Sequence, residues 1–194
     1  DPFTKDVVEP AEPFPLGLLL LNQGKGTAHN VRTTSSQPEI IENEKGLLID
    51  FKIIGTRVNL DELSPSLTVN FGDIGPGESS VARWMMTTTL QGRFIEYQAT
   101  FEHVDDLGDV RTSLIDSVGI HEILKDVRID LPVDDLRPDF LANDIDDTEH
   151  MPDTLYSSDG GVFTVNIGIN PATSGTIDAT NKEATLTVSA PGGW

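Results

Sequence analysis

The chain has 194 residues, 37% of them hydrophobic, with 32 acidic side chains against 13 basic ones and a formal net charge of −19. That length suits one domain, or one domain and part of another, and so negative a surface repels nucleic acid and anionic membranes. Without a single cysteine, neither a disulfide framework nor a thiolate metal site is available. The charge fits a very soluble protein, a cation binder or a protein suited to a salty exterior.

Residues 1–15, DPFTKDVVEPAEPFP, hold four prolines and no regular period, which predicts an extended arm feeding the first strand. The apolar run Leu16–Leu21 that follows is too short to cross a bilayer, so no membrane insertion is expected in this segment. The start at Asp1-Pro2, with neither methionine nor signal peptide, reads as a processed or excised piece of something longer. No Asn-x-Ser/Thr acceptor occurs, which withholds support from a eukaryotic glycosylated origin.

From Leu16 to Leu131 the sequence alternates with period two. Leu47, Ile49, Phe51 and Ile53 share one face, as do Leu67, Val69 and Phe71, then Ala82, Trp84 and Met86, then Ile95, Tyr97, Ala99 and Phe101. Turn residues separate these runs at Asn22–Gly24, Gly75–Gly77, Gln91-Gly92 and Asp105–Gly108. Short strands with frequent turns predict an antiparallel β-sandwich. Ile120, Ile123, Leu124 and Val127 also fit helical spacing, while Val127, Ile129 and Leu131 fit a strand; a final strand is the expectation, with a helical turn before it as the alternative.

Residues 130–159 carry ten acidic side chains and one base, Arg137, with prolines at 132, 138 and 152. This composition predicts an acidic linker over 132–159. Alternation returns at Phe163, Val165, Ile167 and Ile169, and again at Leu186, Val188 and Ala190. Residues 160–194 are thus expected to be a partial second β module. Two or three strands are marginal alone; they dock on the first domain, lack the rest of their own, or are completed by a neighbouring subunit.

Asn22-Gln-Gly-Lys-Gly-Thr-Ala-His-Asn-Val31 resembles the N-x-G-x-G-T-A-x-N-V turn of CARDB-like and related bacterial or archaeal Ig-like adhesion modules. Phe71-Gly-Asp-Ile-Gly-Pro-Gly-Glu-Ser79 followed by Val81–Trp84 resembles their L-x-P-G-x-S hairpin, and Gly92–Ala99 is similar to their G-x-Y-x-I-x-A strand. The resemblance covers residues 16–131. It implies a seven-strand sandwich used as a repeat in large extracellular surface, adhesive or filament proteins, and implies no catalytic residue.

The residues themselves offer little catalytic chemistry. Gly24-Lys25-Gly26-Thr27 lacks the spacing of a phosphate loop, and the β-branched stretch after it, Val31–Thr34, is no helix whose N-terminus could hold an anion. His29, His103, His121 and His150 are scattered, and His121-Glu122 lacks the second histidine of a zinc helix. Gly77–Val81 is no nucleophile elbow, and paired carboxylates are expected by chance in so acidic a chain.

The strongest chemical candidate is Asn143-Asp144-Ile-Asp146-Asp147. Calcium takes six to eight oxygens from flexible loops, so Asp144, Asp146 and Asp147 are candidate Ca2+ ligands that would stiffen the joint between two β domains. Asp105, Asp106 and Asp109 form a looser second cluster. The plainer alternative is a solvated, self-repelling linker.

The expected protein is therefore non-enzymatic, extracellular or at the cell surface, structural or adhesive, and self-associating or joined to neighbouring β domains. Residues 1–15 of one copy are candidates to complete residues 160–194 of the next by strand addition. A carbohydrate- or ligand-binding accessory domain of a secreted enzyme is the alternative. It would need a row of exposed aromatics, for which only Trp194 and Tyr156 offer themselves, in a chain 6% aromatic.

Overall fold

The computed structural model describes residues 13–39, 51–88, 96–104, 115–129, 135–145, 151–166, 172–178, 180 and 182–189. All regular structure among them is β: β1 (Phe14–Leu21), β2 (Ala28–Glu39), β3 (Phe51–Val58), β4 (Asp61–Leu63), β5 (Asn70–Ile74), β6 (Ser79–Thr88), β7 (Glu96–Val104), β8 (Glu122–Val127), β9 (Asp139–Asn143), β10 (Thr154–Tyr156), β11 (Val162–Thr164), β12 (Ala172–Asp178) and β13 (Glu183–Ser189). Every pairing is antiparallel.

The first seven strands form two sheets, ordered β1-β6-β3-β4 and β5-β2-β7. Their facing sides gather one core: Val58, Ala82, Trp84 and Met86 from the first sheet, with Val31, Phe71 and Ile74 from the second, and Val69 just before β5. The period-two pattern places it there. Ala82, Trp84 and Met86 are at most 1% exposed, and Leu16, Leu18, Leu20 and Ile53 pack against them. The Trp84 indole donates from Nε1 to the Ser66 carbonyl at 2.7 Å, so its polar handle is satisfied inside the core. Thr33, 2% exposed, is likewise tied in, accepting from the Val69 N–H at 2.9 Å.

The inner pairs β3–β6 and β2–β5 are those of an Ig sandwich. The outer places are exchanged, since β1 lies on β6 and β7 on β2, whereas the first strand of an Ig domain flanks the second and the last flanks the sixth. β3 carries a bulge between Ile53 and Gly55, which turns Ile54 outward.

Behind the first sheet lies a third, ordered β11-β10-β9-β8. Gly17 pairs with Arg83 and Leu19 with Val81, so these four residues share the face turned away from the core. A Cβ on Gly17 would stand 2.6 Å from Cε1 and Cζ of Phe140 on β9 and 2.9 Å from Cδ1 of Ile123 on β8. Arg83 forms an ion pair with Asp126 of β8. The apolar run of β1 is thereby covered on both sides, which is why it reads as continuous leucine and not as alternation.

Three expectations are corrected, two of them by this third sheet. β9 and β10 occupy residues 139–143 and 154–156, inside the stretch expected to be an acidic linker. The expected boundary at residue 160 falls within the sheet, because β11 pairs with β10. The reason is that carboxylates here do structural work beside a small apolar set, Phe140, Ala142 and Leu155, all buried. Asp139 is itself 1% exposed and accepts the backbone N–H groups of Ile129 at 2.8 Å and Ser158 at 2.7 Å, the pairing that makes a buried carboxylate tolerable. Third, β1 begins at Phe14, which pairs with Met86, so the expected arm over 1–15 gives its last two residues to the sheet. The ambiguous stretch near Ile123 is strand β8.

β12 and β13 form a separate two-stranded sheet. Their register sets Thr173 opposite Val188, Gly175 opposite Leu186 and Ile177 opposite Ala184 on one face. The other face holds Ala172, Ser174, Thr176, Asp178, Glu183, Thr185, Thr187 and Ser189. Both faces are exposed.

Candidate functional site

The glycine-rich turn after β1 is organised by Asn22. Its Oδ1 accepts the Gly24 N–H at 2.9 Å, and its Nδ2 donates to the carbonyls of Gly26 and Ile74, both at 2.8 Å. The Asn22 backbone reaches the β5–β6 turn, donating to the Glu78 carbonyl at 2.9 Å and accepting from Gly77 at 2.7 Å. At least one amide of the turn is thus spent internally, and the loop leads into strand β2 instead of a helix. Beside it, Asp73 accepts His29 Nδ1 and the Asn30 N–H, each at 2.8 Å. The Asn30 N–H first, and then His29, hold its carboxyl below the usual carboxylate range. Asn30 adopts φ 51°, a left-handed position that Asn tolerates better than most residues.

A second polar group gathers at one end of the third sheet. Asp144 follows β9, His121 precedes β8 and Tyr156 ends β10. The Tyr156 hydroxyl donates to Asp144 Oδ2 and lies 2.8 Å from His121 Nδ1. His121 Nδ1 lies 2.9 Å from Asp144 Oδ1, and the two rings tilt together with centroids 4.2 Å apart. Burial, and then the bonded Asp144 carboxylate, push the Tyr156 phenol well above its ordinary value, so it stays a hydrogen-bond donor at neutral pH. Asp153 accepts the Thr154 hydroxyl at 2.6 Å and the N–H groups of Ile145 and Asp144 at 2.8 and 3.0 Å. The Thr154 bond foremost, then the Ile145 amide, hold its carboxyl low.

Asp144 is the one proposed calcium ligand that the structure describes; Asp146, Asp147 and the second cluster Asp105, Asp106 and Asp109 lie outside the described residues. Both Asp144 oxygens are engaged, by Tyr156 and by His121. Among the described residues no group of three or more His, Asp or Glu side chains is arranged to hold a metal ion.

The third polar group is a seam between the first sheet and the third. Arg137 pairs with Asp135 and donates from NH1 to the Ser79 carbonyl at 2.7 Å and from NH2 to the Ser79 hydroxyl at 3.1 Å. Ser79 Oγ donates in turn to the Ser158 carbonyl, and Ser158 Oγ to Asp135 at 2.8 Å. Burial raises the Asp135 carboxyl, but the Arg137 side chain and amide and the Ser158 hydroxyl outweigh it and hold it low. An open cleft of about 310 Å³ lies here, lined by Gly77, Glu78, Ser79, Arg137 and Asp159. Its guanidinium is already committed to Asp135 and Ser79.

The second group brings a hydroxyl, an imidazole and a carboxylate together, but Tyr156 and Asp144 both meet His121 at Nδ1, so the carboxylate does not orient the ring from its other nitrogen as a triad would. Each of the three groups fixes a turn or a junction. Asp144 was visible in the sequence only as one carboxylate of a run; its partners His121 and Tyr156 lie 23 and 12 residues away, and no local motif links them. Arg137 stands out in the sequence as the lone base among ten acids, but nothing along the chain names Ser79, 58 residues away, as its partner.

No protein-family profile, no characterised protein and no solved structure matches the chain. Among the described residues no helix is long and apolar enough to cross a membrane.

Proposed function

We propose that this chain is a non-enzymatic structural or adhesive module of an extracellular or cell-surface protein, acting through self-association or contact with neighbouring β domains. The observation that carries the reading is the use of its polar side chains. Asn22, Asp73, Asp139, Asp153 and Arg137 bind turns or seams, and Asp144 ties the end of β9 to Tyr156 on β10. The acidic exterior suits a protein kept soluble outside the cell. The CARDB-like resemblance of residues 16–131 belongs to the same reading, the exchanged outer strands marking where this sandwich departs from an Ig domain.

Head-to-tail polymerisation by strand addition is the specific form proposed, with the N-terminal arm of one copy completing the β12–β13 hairpin of the next, since β11 already belongs to the third sheet. Because β1 begins at Phe14, the deletion that spares the first sheet removes residues 1–12. Loss of assembly by light scattering in that variant supports the proposal; unaltered assembly removes it. Calcium at Asp144, Asp146 and Asp147 is a further part of it. Millimolar calcium then raises the melting temperature and EDTA reverses the rise, whereas an unchanged melt in both removes calcium from the account.

The competing reading is a carbohydrate-binding accessory domain. Of its two candidate aromatics, Trp194 lies outside the described residues, and the Tyr156 hydroxyl is occupied by Asp144 and His121. A glycan array distinguishes the two: specific glycan binding by a monomeric chain favours the accessory domain.

A further inference from the structure

The β12–β13 hairpin divides its side chains sharply. One face presents Ile177, Leu186 and Val188 with Ala184, at exposures of 83%, 68% and 55% for the three large residues. The opposite face is Ser and Thr apart from Ala172, with Asp178 and Glu183 at the turn end. Leu186 Cδ1 lies 3.4 Å from where a Gly175 Cβ would stand, so the leucine leans over the glycine and the apolar surface continues from Val188 to Ile177. A two-stranded hairpin is marginal in water on its own, and an unpartnered apolar face of this kind marks an interaction surface.

Charge decides the occupant. Residues 160–194 contain two acids, Asp178 and Glu183, and one base, Lys182, hence −1 of the chain's −19. Residues 172–177 and 184–189 contain no charged side chain at all. A basic partner finds nothing to pair with here and a glycan finds no aromatic on this face, but a second copy finds a surface where two strongly negative chains meet without opposing carboxylates. A two-fold contact sets this face against itself, apolar on apolar.

We infer that the apolar face of the β12–β13 hairpin, formed by Ile177, Ala184, Leu186 and Val188, packs against the same face of a second copy of this chain. This deepens the structural reading above and rests on it, naming the surface through which copies meet. The two hairpins stack as sheets about 10 Å apart, each closing the other's open side.

Sedimentation velocity of the full chain over a range of concentrations tests this. The wild type is expected to dimerise reversibly, and more tightly as salt screens the repulsion between the acidic bodies. Ile177→Glu and Leu186→Glu are expected to weaken the dimer at least about tenfold, the effect of about 1.4 kcal/mol, while Thr185→Glu and Thr187→Glu on the opposite face leave it intact. Circular dichroism checks that the hairpin variants keep their β-structure. Because the chain has no cysteine, Ala184→Cys gives an independent readout: a bismaleimide long enough to span two stacked sheets cross-links it into dimers, and Thr185→Cys stays monomeric. Equal association of the two sets of variants, or equal cross-linking, overturns the face and leaves the structural reading standing. A wild type that is monomeric throughout overturns the face, and one that also binds a glycan overturns the structural reading with it.

Discussion

Gly17 of β1 lies directly against the ring of Phe140 of β9, and a Cβ at Gly17 would stand 2.6 Å from two of its ring carbons. The missing side chain lets the third sheet sit flush on the back of the first. Around it, Leu19 and Val81 share the covered face, and Arg83 closes it through Asp126. This contact joins the stretch expected to be a linker to the sandwich.

Gly17→Val is therefore expected to force the sheets apart and to destabilise the chain by about 1–3 kcal/mol, the usual cost of overpacking. Urea denaturation reads the effect as a lower midpoint. Hydrogen exchange should quicken first at the amides of β8 and β9. An unchanged midpoint would mean that the two sheets are not packed as described.

Asn22 holds three backbone groups through its side chain and two more through its own backbone at the junction of two turns. Asn22→Ala leaves the Ile74 and Gly26 carbonyls and the Gly24 N–H without their side-chain partner, an expected loss of about 1–3 kcal/mol in thermal or urea unfolding. Lys25→Ala in the same turn is expected to leave stability unchanged. Equal effects of the two would show that the Asn22 amide does not organise the loop.

The low carboxyls set an acid limit. Asp73, Asp135, Asp153 and Asp159 all have folded values below their ordinary one. Their contribution is fully present above the ordinary carboxyl value of about 4 and is lost as pH falls through the depressed folded values. Urea midpoints are expected to be flat from neutral pH to about pH 5 and to drop below about pH 4. Arg137→Gln removes the cation that holds Asp135 low, so this variant is less stable near neutrality and loses less on acidification. A parallel acid profile in the variant contradicts the seam.

Tyr156 has the opposite sign. Its phenol is raised, so the stability it adds is present below the ordinary tyrosine value of about 10 and is lost as pH rises through the higher folded value. Ultraviolet absorbance is expected to show a tyrosine titrating late, a step that Tyr156→Phe abolishes. An ordinary titration in the wild type contradicts the Tyr156–Asp144 bond.

Legibility in the sequence followed periodicity. Ala82, Trp84 and Met86, or Val69 and Phe71, announce a one-sided strand because burial on one face alternates with solvent on the other. β9 was hidden because Asp139 and Asn143 are buried at its ends; a carboxylate satisfied by two backbone amides looks, in composition, like one dissolved in water. β10 and β11 are three residues each, too short for alternation to register. The His121–Asp144–Tyr156 group could not be read because pairing across three strands, not spacing along one, brings it together.

The proposal that the chain is a self-associating structural module is tested most directly by electron microscopy of the purified chain at high concentration. The account predicts ordered oligomers or filaments that disperse in Leu186→Glu. Uniform monomeric particles in the wild type, at every concentration and salt level, would contradict it.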